Sequence, residues 1–413
     1  MIVLLTFLGT GNYTSACYQF GDQTISHQEA YFSAALASHL KPDRIISLQT
    51  EAASKKHGVP LNSRFLDLDF AHVPVKIPEG KAESELWEIF SSLTNSVPRD
   101  CTLHLDITHG FRSLPILGFI ALNYLRTTRN VTLGGIHYGA WDAMETGVAP
   151  AFDITPFLTL LDWTAAADQF LSTGSATRLA GLLGNIQQSI RRNPGEIPTG
   201  DLPTKLISLG STLEIAANNL TLLRTGAIKA SAESVARQIE NATKSKDITR
   251  FAPAFLDVLQ PVQADLTRFA GTDLSILRDL IGWLIEKDRP DTALTLAAEW
   301  IVSWLMVRLG NSDHHTNEKN RKPYDQCLNL LIDEYSKRNE IPNPSAESKD
   351  LLKKLKSRSA PAERECLAAV ASQLKTARND LNHAGFRDSP MAARAIHSVA
   401  MEIRDELMQL KLH

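Results

Sequence analysis

Short apolar runs alternate with longer amphipathic stretches through the first 155 residues. Ile2 to Leu8, Arg44 to Leu48, Ala71 to Val75, Thr102 to Thr108 and Val131 to His137 read as strands. They are apolar nearly throughout, as strands buried on both faces are. Ser26 to Leu40, Lys81 to Ser96 and Ser113 to Arg126 carry helical spacing between them. This alternation predicts an α/β domain over 1–155 with a parallel sheet covered by helices on both sides. Phe152 to Pro156 reads as a last extended piece.

From Phe157 onward the spacing is helical almost throughout. Trp163 to Leu183, Leu206 to Leu223, Leu274 to Glu286 and Thr292 to Leu309 have helix length and period. Ala293 to Val307 is apolar nearly all round, which predicts a helix buried inside its domain. Arg191 to Pro203 is a proline- and glycine-rich loop, and His314 to Lys322 and Ile341 to Ser348 are further breaks. The last helix, Met391 to Leu410, lines Ala392, Ala395, Ile396, Val399, Ile403, Leu407 and Leu410 along one stripe. The α/β domain is thus followed by an all-α C-terminal part, divided into a helical linker or partner region over 156–290 and a helical domain over 291–413. No internal repeat is visible.

Composition narrows the function classes. At 413 residues the chain can form more than one core, and 43% hydrophobic with 22% charged residues is ordinary for a globular protein. A net charge of −3 excludes a global basic footprint, so any nucleic-acid contact must use a local patch. Cys17, Cys101, Cys327 and Cys366 lie far apart, without zinc-type pairing or a disulfide framework, which fits a reducing cytoplasm. Ile2 to Leu8 has no basic start and runs into Gly-Thr-Gly, unlike a signal peptide. No stretch approaches the roughly 20 apolar residues that span a bilayer, so no membrane partner is expected.

A parallel sheet of this kind binds ligands beyond the carboxyl ends of its strands. Gly9-Thr10-Gly11-Asn12-Tyr13 follows the first strand there. Asp106-Ile107-Thr108-His109-Gly110-Phe111-Arg112-Ser113 follows the fourth and opens a helix with Pro115 in its first turn. Glycines let the backbone approach a phosphate closely, and helix starts supply free amides. Thr10, Asn12, Thr108 and Ser113 add neutral hydrogen-bonding groups, and Arg112 adds a phosphate-compatible fork. The same residues also fit a plainer role, in which Gly9 and Gly11 make a tight turn while Asp106 and Arg112 cap or pair locally. A dinucleotide site is disfavoured. Thr14 takes the third glycine position of Gly-x-Gly-x-x-Gly, and Leu48-Gln49-Thr50 stands where an acidic residue would end the second strand.

Arginine followed four to six residues later by histidine is a loose pattern. It occurs at Arg99 with His104, at Arg308 with His314 or His315, and at Arg378 with His383. The first straddles a strand start, and the second runs from a helix end into a polar loop. Arg378 lies on the apolar stripe of Leu367, Val370, Ala371, Leu374 and Leu381, where it must be paired or line a cleft or interface. Asn379 and His383, four apart, share a face. Arg378 and His383 diverge by roughly 140° on a continuous helix. A site using both requires the helix to end near His383, where Gly385 can stop it, or a second copy across an interface. A helix end attracts cations, which suits a proton donor. The plainer role pairs Arg378 with an acidic neighbour and leaves His383 as a polar cap. Lys349, Lys353, Lys354, Lys356 and Arg358 form a basic stretch that is either a solvated face or a guide for RNA.

These residues resemble a known combination. Leu8 to Tyr13, Asp106 to Ser113 and the strand end Ile136-His137-Tyr138-Gly139-Ala140 resemble the CRISPR-associated Rossmann fold (CARF) sensor domain of type III CRISPR ancillary ribonucleases. Arg378-Asn379-x-x-x-His383, followed by one last amphipathic helix, is similar to the HEPN (higher eukaryote and prokaryote nucleotide-binding) nuclease domain. The resemblance implies a Rossmann-like sensor over 1–155 and a HEPN-type nuclease over 291–413. In that family the sensor domains dimerise and bind a cyclic oligoadenylate across the two-fold axis, which activates the nuclease. Carried onto this chain, Gly9, Thr10, Gly11, Asn12, Tyr13, Thr108, His109, Gly110, Arg112 and Ser113 would cradle the ring, tetra-adenylate ahead of hexa-adenylate. Arg378 and His383 from two protomers would cut single-stranded RNA, with Asn379 orienting, in a homodimer or higher homo-oligomer. The implied chemistry uses no metal or cofactor, and its need for a 2′-hydroxyl excludes DNA. Two other functions fit the residues. One is a ring nuclease that degrades the oligoadenylate, with Thr10, Asn12 or Thr108 positioning the ribose hydroxyl. The other is a ligand-responsive binding protein without catalysis; a transcription regulator is disfavoured, since no short helix-turn-helix with a basic recognition helix is apparent.

Overall fold

Ile2–Leu8 (β1) is buried along nearly its whole length because it lies inside an eight-stranded sheet. Val3, Leu5 and Phe7 enter one apolar cluster with Leu103, Leu105 and Leu122, while Leu4 and Leu8 enter another with Phe32, Leu36 and Ile45. The apolar run therefore meets a core on each side, as a central strand must. The structure is a computed structural model and describes residues 1–24, 28–110, 113–192, 194, 197–269, 274–311, 318–336, 344–386 and 388–411.

The other strands are Cys17–Phe20 (β2), Gln23–Thr24 (β3), Arg44–Gln49 (β4), His72–Lys76 (β5), Thr102–Asp106 (β6), Thr132–Gly139 (β7) and Val148–Asp153 (β8). Their order across the sheet is β3-β2-β8-β7-β6-β1-β4-β5. The five strands from β5 to β7 are mutually parallel, as the alternation predicts. The sheet is not parallel throughout. β8 runs antiparallel to β7, β2 joins β8 in parallel, and β3 folds back on β2. The link from β7 to β8 contains only a short 3-10 turn, Trp141–Ala143, and Gly147 at φ +85, too little chain for a crossover.

Around the sheet lie Phe32–Leu40 (α1), Glu51–Ala53 (α2), Val59–Asp67 (α3), Glu83–Ser96 (α4) and Ser113–Thr128 (α5). A π-helical turn, Ser54–Gly58, joins α2 to α3. The helix expected from Ser26 starts at Phe32; Ser26 lies outside the described residues. The chain divides into two compact units, Met1–Leu160 and Leu161–His413, with the division inside Thr155–Thr173 (α6).

The second unit is helical. After α6 come Thr177–Arg192 (α7), Leu206–Thr221 (α8), Thr225–Lys244 (α9), Asp247–Phe251 (α10), Phe255–Thr267 (α11) and Leu274–Glu286 (α12). Pro290–Arg308 (α13), Glu318–Ser336 (α14), Ala346–Arg358 (α15), Pro361–Asn382 (α16) and Ala393–Gln409 (α17) complete it. The single helix expected over Trp163–Leu183 is two, because Gly174 at φ +73 ends the first. One apolar cluster runs from Trp163 to Leu410 through these helices. At its centre α13 buries Ala293, Ala297, Trp300, Trp304 and Leu305, which explains its mostly apolar sequence. The four cysteines are free thiols, and among the described residues no helix is long and apolar enough to cross a membrane.

Candidate functional site

The order of the parallel strands reverses at β1, which has β4 on one side and β6 on the other. Open α/β sheets bind ligands beyond the strand ends at such a reversal. Gly9 to Tyr13 leaves β1 there, Thr50 to Gly58 leaves β4, and Ile107 to Gly110 leaves β6. The first and third touch closely. A Cβ on Gly9 would lie 3.3 Å from the Gly110 nitrogen, and one on Gly110 would meet Phe7 and Leu114 at 3.2 and 3.1 Å. Gly110 also has φ +124, a conformation that only glycine adopts readily.

The Gly9–Asn12 loop is held from one side. Lys56 Nζ donates to the Thr10 carbonyl and to Asn12 Oδ1, both at 2.8 Å, and reaches the Gly11 carbonyl at 3.4 Å. His57 Nε2 donates to the Gly11 carbonyl at 2.8 Å, and its Nδ1 then accepts from the Tyr31 hydroxyl at 3.3 Å. In a trans peptide unit the N–H points opposite to the C=O. With the Thr10 and Gly11 carbonyls turned to Lys56 and His57, the N–H groups of Gly11 and Asn12 point away from those two side chains, on an exposed stretch.

Tyr13 closes the loop from within. Its hydroxyl accepts from the Gly9 N–H (2.8 Å) and donates to the Gly9 carbonyl (3.1 Å). Its ring packs between Tyr31, His57 and His109. Burial pushes the Tyr13 hydroxyl up to about 12 and holds the His109 imidazole below its ordinary range. His109 keeps a buried Nε2 with no hydrogen-bond partner. Asp106 is fully buried and stitches the strand ends together, accepting from Thr6 Oγ1 (2.7 Å) and the Thr108 N–H (2.9 Å). Thr108 Oγ1 in turn accepts from the Gly139 N–H (2.9 Å). The fold thus brings Gly9, Thr10, Gly11, Asn12, Tyr13, Thr108, His109 and Gly110 to one place, with Ser113 opening α5 beside them. Arg112 lies outside the described residues.

In the helical unit, α16 ends as the sequence predicts. His383 is its C-cap, Ala384 and Gly385 have φ +50 and +73, and the Gly385 N–H returns to the Asp380 carbonyl (3.2 Å). Arg378 and Asn379 line a cleft of about 730 Å³ between α13, α14 and α16, together with Glu299, Arg321 and Lys375. His383 is exposed and is not among the cleft's lining residues. Arg378 pairs with Glu299 at 3.3 Å, the acidic neighbour that its place on the stripe calls for. His314 and His315 lie outside the described residues. Among the described residues no group of three or more His, Cys, Asp or Glu side chains is arranged to hold a metal ion.

Comparison with known proteins adds one finding. Over 118 residues the chain is 36% identical to the CRISPR-associated protein MJ1674 of Methanocaldococcus jannaschii. The match takes in 28% of this chain and 19% of MJ1674, so the chain spans about a fifth of that relative's length. No protein-family model matches.

Lys56 and His57 were not legible as site residues. The available signal was Lys55-Lys56-His57-Gly58, a basic cluster shortly after the second strand. Reading it required knowing that β4 lies next to β1. Two further histidines make this unit acid-sensitive. Burial pushes His72 and His104 from the ordinary 6.5 down to about 4, with His137 adding to the effect on His104. Between those values the unfolded chain binds protons that the folded one refuses, so stability falls as pH falls. The melting temperature should drop through that window, and less steeply in His72→Gln. A flat profile would mean that both imidazoles are readily protonated in the fold.

Proposed function

We propose that this protein is an endoribonuclease of CRISPR antiviral defence, acting without a metal on single-stranded RNA when a cyclic oligoadenylate occupies the N-terminal site. The observation that carries this is the Gly9–Asn12 loop, pinned through its carbonyls by Lys56 and His57 so that the Gly11 and Asn12 amides face outward at the strand reversal. Outward amides on an exposed glycine turn are an arrangement suited to a polyphosphate or phosphodiester ring. Partial identity to a CRISPR-associated protein supports the defence role.

In the nuclease reaction the ribose 2′-oxygen attacks the adjacent phosphorus as its proton leaves. The bond to the 5′-oxygen breaks, and that oxygen takes up a proton, giving a 2′,3′-cyclic phosphate and a 5′-hydroxyl. Arg378 stabilises charge building on the phosphate oxygens, His383 transfers the proton, and Asn379 orients. The place of His383 at the helix end, outside the Arg378 cleft, supports a reactive pair drawn from two protomers of a homodimer.

A second function, ligand-responsive binding without catalysis, draws support from the Glu299–Arg378 pair, which satisfies Arg378 structurally. Cleavage of a fluorescent single-stranded RNA in EDTA, with and without cyclic tetra- and hexa-adenylate, separates the two. Cutting that appears only with one ring is the expected result. Ring binding or ring loss without RNA cutting would shift the assignment to a binding role or to ring degradation.

A further inference from the structure

Two arginines in the helical unit converge on one carboxylate. Glu299, on α13, offers Oε2 to Arg321 of α14 at 3.1 Å and Oε1 to Arg378 of α16 at 3.3 Å. Each carboxylate oxygen therefore has its own guanidinium. The two non-bridging oxygens of a phosphodiester present the same single negative charge in a similar spread, and guanidinium forks suit both.

The three side chains differ in how firmly they are held. Arg321 is 16% exposed and is fixed independently of the carboxylate, donating to Ser303 Oγ (2.9 Å) and to the Glu299 carbonyl (2.7 Å). Arg378 has a buried Nε with no hydrogen-bond partner. Glu299 is half exposed, and it is the only charged position within the largely buried run Leu294 to Met306 of α13. Its carboxylate can leave for solvent while Arg321 stays on Ser303 and the Glu299 carbonyl.

We propose that the α13–α14–α16 cleft is a phosphodiester-binding site in which Arg321 and Arg378 grip one RNA phosphate, and that Glu299 occupies the phosphate's place until RNA displaces it. The proposal rests on the ribonuclease function above, adding Arg321 as a substrate-binding residue and Glu299 as a built-in competitor. Lys322 and Lys375 also line the cleft and add positive charge, and Glu318 and Asp325 line it as further carboxylates. At about 730 Å³ it has room for a nucleotide beside the gripped phosphate.

The test measures anisotropy of a fluorescent 2′-O-methyl single-stranded oligoribonucleotide, which cannot be cleaved, on the full chain over a range of salt, with and without each ring. Glu299→Gln keeps the shape and removes the charge. It should bind on the order of fivefold more tightly, the scale of one exposed ion pair, and should raise RNA cleavage in the absence of a ring. Arg321→Ala should weaken binding and lower the salt slope by about 0.7, one single-strand phosphate contact, which a purely structural role would not do. Melting curves matching wild type confirm that both variants fold. Equal or weaker binding by Glu299→Gln, or an unchanged slope in Arg321→Ala, would overturn the proposal while leaving the ribonuclease intact. Absence of oligonucleotide binding by every protein, with or without a ring, would take down both.

Discussion

RNA cleavage by Arg378→Ala or His383→Ala, measured at saturating ring, should fall about 10²- to 10³-fold, the range for removing one charge-stabilising or proton-transferring group. Neither change should unfold the protein. Arg378 and Glu299 are both substantially exposed, so their pair is worth at most about 1 kcal/mol, and Glu299 keeps Arg321 when Arg378 is lost. His383 is an exposed cap whose backbone N–H still reaches the Asn379 carbonyl whatever its side chain. Arg378→Lys should rescue little, because an ammonium cannot hold two phosphate oxygens in a planar fork. Near wild-type cleavage in either alanine variant would remove these residues from the reaction.

The second large effect is expected at Gly11. A Cβ there would meet nothing within 4 Å, and Gly11 is not among the glycines with positive φ. Gly11→Ala should therefore melt at or slightly above the wild-type temperature. The close approach of a phosphate to the outward amides would nevertheless be blocked, and ring affinity by calorimetry should fall about tenfold or more. Gly110→Ala is the contrast. Its φ of +124 and its contacts with Phe7 and Leu114 should cost about 1–3 kcal/mol of stability before any ligand is added. Unchanged ring binding by Gly11→Ala would reduce Gly9–Asn12 to an ordinary turn.

What could be read from the sequence followed locality. β1 and β4 were legible because a strand buried on both faces is written as one apolar run, and α13 because a largely buried helix is written as a mostly apolar one at greater length. The end of α16 was legible because Gly385 marks a left-handed stop. Cys17–Phe20 was not, since four mixed residues gain strand character only by pairing with β8, far along the chain. The helical path from Glu51 to Asp67 was masked by Gly58 and Pro60, although proline is tolerated in the first turn of α3.

The candidate sites divide along the same line. By itself the sequence determined the glycine loop after β1, the segment after β6, and the Arg378, Asn379 and His383 positions at one helix end, because each depends on neighbours a few residues away. Only the tertiary structure decided what restrains them. Lys56 and His57 reach the loop from 46 residues away because β4 pairs with β1. Glu299 reaches Arg378 across 79 residues because α13 packs against α16. Hydrogen bonds and ion pairs act over a few ångströms of space, and sequence distance carries no information about which charges the fold brings within that reach.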